Sequence, residues 1–129
     1  MCDDDLNEFR ACFEYECWPN KPFQEELETC THSTIDVPVC FGNDASVQVL
    51  VHRPPGIKHY YNHGIVCFHK GSGIAGSPEL DQAFFSKIAV ATGSIVFNVD
   101  YRLAPEANST QQAMDGVAVV KYLWDNAIE

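Results

Sequence analysis

Basic residues are scarce. Eight Lys and Arg stand against eighteen Asp and Glu, a formal charge of −10, and no basic stripe interleaved with aromatics offsets it, which argues against a nucleic-acid backbone as partner. Equally absent is an apolar run long enough to cross a bilayer, so no membrane span is expected. The opening residues Met1-Cys2-Asp3-Asp4-Asp5 lack the basic and apolar regions of a secretory signal, and a cytoplasmic location is the default expectation. The six cysteines, Cys2, Cys12, Cys17, Cys30, Cys40 and Cys67, include no Cys-x-x-Cys pair and make no zinc set. Cys40 and Cys67 stand in apolar, strand-like runs that suit buried free thiols. Cys12, Cys17 and Cys30 could form a disulfide in an oxidising compartment, which spacing does not decide. His59 and His63 lie in a polar loop without a nearby acidic partner in sequence, so together with His32 and His52 they read as surface residues rather than metal ligands. No repeat or low-complexity tract occurs, and 46% hydrophobic residues over 129 positions suit one globular domain.

What is present falls into two textures. Residues 1–33 are acidic, with Arg10 and Lys21 their only Lys or Arg. Leu6, Phe9 and Phe13 have helical spacing there, which predicts a short amphipathic helix broken by Pro19, Asn20 and Pro22. This stretch reads either as a cap packed by its aromatics or as a lid or partner-docking arm. From residue 34 to 129 the chain reads as an α/β unit. Ile35, Val37 and Val39 alternate with polar or turn residues, Gly42-Asn43-Asp44 supplies a turn, and Val47, Val49 and Val51 alternate again, which predicts an antiparallel hairpin. Pro38 cannot donate a ladder hydrogen bond and places the hairpin at a sheet edge.

Gly64 to Phe68 is a continuous apolar run that suits a strand buried on both faces. After a glycine-rich turn, Ser77 followed by Pro78 predicts a helix start with a capping hydroxyl; Leu80, Phe84, Ile88 and Ala91 form its apolar face, and Gly93 closes it. Ser94 to Val99 is a second buried strand. A last helix from about Thr110 to Asn126 is expected to bury Ala113, Val117, Val120 and Leu123, with Val119 and Trp124 beside them. A leading hairpin followed by strand, helix, strand and helix implies a mixed sheet with helices on its faces.

Two stretches then carry a family resemblance. Val66-Cys67-Phe68-His69-Lys70-Gly71-Ser72-Gly73 resembles an apolar strand running into a His-Gly-Gly-Gly loop. Asp100-Tyr101-Arg102-Leu103-Ala104-Pro105-Glu106 matches an Asp-Tyr-Arg-Leu-Ala-Pro-Glu signature in full. Both resemble the N-terminal part of α/β-hydrolases of the hormone-sensitive-lipase and arylacetamide-deacetylase type, over about Ile35 to Ala127. The resemblance implies a carboxylesterase-like fold in which the loop after the third strand supplies backbone N–H groups to an oxyanion hole. By position these donors are Gly71 and Ser72, with His69 bracing the turn. Relatives carry three glycines after the histidine, whereas this chain has Lys70, Gly71 and Ser72, and a non-glycine residue at positive φ is costly. Lys70 reads as a solvated loop side chain or as an ammonium near the developing oxyanion. Asp100, Arg102 and Glu106 are expected to be structural, with Arg102 pinning the loop through a carboxylate, Glu106 for preference.

The resemblance also defines what the chain lacks. Ester hydrolysis on this fold needs a serine on a strand-to-helix elbow, then an acid, then a histidine. No Gly-x-Ser-x-Gly occurs, and Gly71-Ser72-Gly73 and Gly76-Ser77 belong to the loop and the helix start. The expectation is therefore part of a carboxylic-ester hydrolase, truncated before its nucleophile and inactive as a serine hydrolase by itself. Its partners would be a missing C-terminal part or further copies of the chain at an open sheet edge. A completed protein would take a small acyl ester, with no cofactor or metal implied. The alternative is a non-catalytic binding or scaffold protein derived from the same fold.

Overall fold

Among the described residues, four strands form one mixed sheet. In the computed structural model, which describes residues 3–17, 24–39, 45–56 and 63–126, two helices precede the sheet, α1 (Asp3–Cys17) and α2 (Gln24–Thr29). The strands are β1 (Thr31–Pro38), β2 (Ser46–Arg53), β3 (Gly64–Phe68) and β4 (Ile95–Val99). Helix α3 (Gln82–Thr92) joins β3 to β4 and α4 (Ser109–Asn126) follows β4.

The expected hairpin is present. β1 and β2 pair antiparallel from Thr31 opposite Arg53 to Pro38 opposite Ser46, and the Val39 N–H donates to the Ala45 carbonyl at 3.0 Å just beyond them. The turn expected at Gly42-Asn43-Asp44 lies outside the described residues, as do Cys2, Cys40, the break at Pro19, Asn20 and Pro22, and the loop residues His59, Tyr60 and Tyr61. β1 is an end strand of the sheet, as Pro38 implied. β2 runs antiparallel to β4, and β4 parallel to β3. Helix α3 thus serves as the crossover that a parallel pair requires.

The period-2 alternation separates the two faces. Val37, Val47, Val49, Val51 and Val99 lie on one face and pack with Val119 of α4. On the other, Val96 packs with Phe85 and Ala89 of α3 and with Cys30, while Ile65, Cys67 and Ile88 are partly buried against them. Two expectations fail at this level. β3 is only half-buried, with Gly64 and Phe68 exposed, because among the described residues β4 is its one ladder partner and its outer edge stays open. Ser77 makes no capping hydrogen bond; its carbonyl accepts from Leu80 N–H at 3.2 Å, and a 3₁₀ turn at Pro78–Asp81 precedes α3. Gly93 does close α3, in the left-handed conformation at φ 65°, where the missing Cβ matters.

Both long helices are rotated from the faces their apolar spacing suggests. α3 buries Phe85, Ser86 and Ala89 and leaves Phe84 and Ala91 exposed. Apolar residues encircle this helix, so its period does not select a face. α4 buries Asp115, Gly116 and Val119, while Val117, Val120 and Trp124 are 55%, 53% and 73% exposed. A buried aspartate and a glycine pressed on the Phe68 ring orient α4, and hydrophobic periodicity reads neither.

His52 is a further correction: it is fully buried rather than on the surface. Its Nδ1 lies 3.0 Å from the Ser86 hydroxyl, which His32 Nε2 also meets at 3.1 Å. The two imidazoles stand edge to face at 4.9 Å. A polar residue on an alternating strand reads as exposed, and only the helix that brings Ser86 over it makes burial tolerable. Cys12, Cys30 and Cys67 are free thiols, Cys30 buried and Cys67 half-buried. Among the described residues no group of three or more His, Cys, Asp or Glu could hold a metal, and no helix is long and apolar enough to cross a membrane.

Candidate active site

β3 and β4 run parallel and release two loops at the same end of the sheet, residues 69–77 after β3 and 100–108 after β4. The expected site residues of both loops therefore meet. Tyr101 joins them: its hydroxyl donates to the His69 carbonyl at 3.1 Å, and its ring stacks on His69 with centroids 4.4 Å apart. His69 is buried, and its Nδ1 is 2.9 Å from the Lys70 carbonyl. Its Nε2 faces the Asp100 carboxylate at 4.0 Å and has no hydrogen-bond partner among the described residues. Asp100 itself is exposed; its N–H donates to the Gln48 carbonyl at 2.8 Å, and partial burial raises its carboxyl pKa.

The glycine-rich loop is a tight turn. Ile74 and Ala75 N–H groups both donate to the Gly71 carbonyl, at 3.0 and 3.1 Å. The Gly73 carbonyl accepts from Ala104 N–H at 2.8 Å and from the Gln112 side chain at 2.8 Å. Gly71 is required here: its φ is 131°, and a Cβ would sit 1.8 Å from the Ala75 carbonyl oxygen. Gly76, at φ 91°, admits the Lys70 carbonyl and His69 ring to its bare Cα. Ser72 takes the left-handed conformation without being glycine, at φ 56°, a cost of about 1 kcal/mol or more. Among the described residues no hydrogen bond occupies the N–H groups of Gly71 and Ser72. Ser72 and Gly73 line an open pocket of about 340 Å³ with Phe68, Tyr101, Gln112, Ala113 and Gly116.

Lys70 is held by Asp81. Its ammonium pairs with Asp81 at 3.1 Å, and its N–H donates to the same carboxylate at 2.9 Å. Arg102 also departs from expectation. Its guanidinium binds Asp115, at 2.6 Å for the shortest contact, and its backbone N–H adds a bond to that carboxylate at 3.0 Å. Asp115 is fully buried, and this pairing holds the post-β4 loop to α4. Glu106, the partner expected for Arg102, belongs to Arg10 of α1 instead, at 2.8 and 2.9 Å. Arg10 holds the Glu106 carboxyl pKa down to about 2. Glu106 is the nearer carboxylate along the chain, four residues from Arg102 against thirteen for Asp115; the packing of α4 beside the loop brings Asp115 to the guanidinium instead. Arg10 and Glu106 line a second open cavity of about 410 Å³ with Gln48, Asp100 and Arg102.

A sequence model of a family described as alpha/beta hydrolase fold matches residues 65–129, which includes both loops. The chain belongs to the alpha/beta hydrolase fold family. The resemblance carried by the Asp100–Glu106 signature is thereby borne out. Solved structures agree with this hydrolase fold. An esterase from Pyrobaculum calidifontis is 26% identical, with a TM-score of 0.77 over 96% of this chain and 38% of its own. A thermophilic carboxylesterase cloned from a metagenomic library is 24% identical, with a TM-score of 0.76 over 95% of this chain and 40% of its own. A bacterial heroin esterase is 23% identical, with a TM-score of 0.82 over 96% of this chain and 38% of its own. The chain thus spans well under half the length of these structures. No curated protein sequence matches it.

Proposed function

We propose that this chain is one part of a carboxylic-ester hydrolase and supplies its oxyanion-hole loop. The observation that carries the reading is the pair of N–H groups at Gly71 and Ser72 that no hydrogen bond occupies among the described residues, in a turn tied down through the Gly71 and Gly73 carbonyls. Two adjacent free donors at the edge of an open pocket suit a carbonyl oxygen that gains charge as it becomes tetrahedral. His69 and Tyr101 brace that turn from behind, and the Arg102–Asp115 pair fixes the loop beside it.

The nucleophile must come from elsewhere, because the serine nearest these donors belongs to the loop itself. A serine hydroxyl attacks the ester carbonyl, the oxyanion rests on Gly71 and Ser72 N–H, the alcohol leaves, and water releases the acyl group. The 129 residues alone carry out no such reaction. The open edge of β3 suits a parallel strand from the remaining hydrolase portion, and a second copy of the chain is the competing occupant. Residues 1–33 act as an acidic cap on the 34–129 hydrolase unit, held through Arg10, and the protein works in the cytoplasm.

Native protein containing this chain, purified without denaturant, should hydrolyse p-nitrophenyl acetate or butyrate with saturation kinetics, whereas the 129-residue chain should not. A native species that is folded, larger than this chain and inert toward short acyl esters would sink the hydrolase reading and favour a binding or scaffold protein.

A further inference from the structure

Arg10 lies on α1, far in sequence from the loops it touches, yet its guanidinium makes four hydrogen bonds there. Nε donates to the Ile74 carbonyl at 2.8 Å. Nη2 donates to the Ala104 carbonyl at 2.8 Å and to Glu106 at 2.8 Å, and Nη1 donates to Glu106 at 2.9 Å. A guanidinium spreads five N–H donors over three nitrogens and can make these four bonds at once, whereas an ammonium has three donors on a single atom.

The Ile74 contact matters because of what lies behind it. A peptide unit is planar, so the Ile74 carbonyl and the Ala75 N–H move together. That N–H donates to the Gly71 carbonyl at 3.1 Å. The Gly71 carbonyl in turn shares its peptide plane with the Ser72 N–H. Two peptide units in series thus run from the guanidinium to a proposed oxyanion donor. Each donor in such a chain polarises the next, and a cation at the head strengthens the sense in which Ser72 N–H donates. The same arginine grips the neighbouring loop at Ala104, whose N–H bonds the Gly73 carbonyl at 2.8 Å.

We propose that Arg10 is a positioning residue for the oxyanion turn, setting the direction and polarity of the Ser72 N–H through the Ile74–Ala75 and Gly71–Ser72 peptides. This rests on the hydrolase reading for its chemical purpose, whereas the relay itself is a property of the chain. It makes the N-terminal helix a determinant of the site's electrostatics rather than a cover alone.

Amide hydrogen exchange on the chain tests the relay. Arg10→Met should speed exchange of Ala75 N–H by about tenfold or more while Val96 and Val99 in β4 keep wild-type rates, and the Ser72 amide proton should shift upfield. Arg10→Lys should restore little of this. Glu106→Gln keeps the Ile74 contact and should leave Ala75 close to wild type. Unchanged Ala75 exchange in Arg10→Met, exchange that rises equally through β4, or an equal rise in Glu106→Gln would each overturn the relay. In native protein that hydrolyses esters, Arg10→Met should lower kcat by roughly ten- to a hundredfold with KM within about twofold. A lowered kcat with that split supports the role in catalysis, and a change confined to KM overturns it. Native protein without hydrolysis, but with the Ala75 effect, would remove the hydrolase reading and leave the relay standing.

Discussion

Gly71 and Ser72 are adjacent, both have positive φ, and they should respond oppositely to substitution. Gly71→Ala forces a Cβ into the Ala75 carbonyl, so the turn must open; we expect a loss of about 3 kcal/mol or more in urea unfolding. Ser72→Gly removes a left-handed penalty while adding freedom to the unfolded chain, and stability should stay within about 1 kcal/mol of wild type. A Gly71→Ala variant as stable as wild type would mean that the turn is not formed as described. The Arg102–Asp115 pair gives a second case. Asp115 is fully buried and accepts from both the side chain and the backbone of Arg102. Asp115→Ala strands a guanidinium against an emptied space, and about 3–5 kcal/mol should be lost. Denaturant midpoints at constant m-value check it.

Elements are joined across the sheet by His52, which ties β2 to α3 through Ser86 and to β1 through His32. Burial, with a smaller contribution from His32, pushes the His52 pKa from 6.5 down to about 4, and burial lowers that of His32 as well. The unfolded chain therefore takes up a proton that the folded chain refuses. Stability should be independent of this group above about pH 6.5 and fall as pH drops toward 4, by about 3 kcal/mol in full. Melting temperatures measured between pH 7 and 4.5 check it, and His52→Gln should flatten that dependence. A slope unchanged in this variant would assign the acid sensitivity to other groups. Arg10 with Glu106 acts in the same sense but lower on the scale: the unfolded carboxyl takes up its proton near the ordinary carboxylate value while the folded one resists down to about 2, so its slope sets in only below about pH 5.

For the molecule as a whole, two features stay exposed among the described residues: the outer edge of β3 and an apolar face of α4. Phe68 at the end of β3, and Val117, Val120 and Trp124 on α4, are large exposed side chains. An open strand edge and an exposed apolar helix face each invite association. The isolated 129-residue chain should sediment above its monomer mass of 14.4 kDa at micromolar concentration, and Val117→Asp with Trp124→Ser should shift it toward monomer. A wild-type chain that sediments as a monomer would show that these surfaces are not adhesive. The esterases it resembles extend well beyond the matched part, since the chain covers 38% of the Pyrobaculum calidifontis enzyme, so the native partner of that edge is a matter of the whole protein.

Strand existence and pairing were legible because β1 and β2 alternate with period two, and that period is fixed by the backbone. The Asp100–Glu106 signature named the family because seven specific residues in a row carry information that composition does not. The helix faces were not legible. α3 is apolar nearly all round, and α4 turns inward a carboxylate and a glycine, so a hydrophobic count points to the wrong side of both. Nor could the partner of Arg102 be read, since Glu106 and Asp115 are both within reach along the chain and only the packing of α4 on the sheet separates them. Arg10 left no signal beyond being a base in an acidic stretch. Sequence by itself determined the local periods and the family, because these depend on neighbours along the chain. Tertiary structure alone decided which charges pair and that His52 is buried, because electrostatics and desolvation depend on neighbours in space.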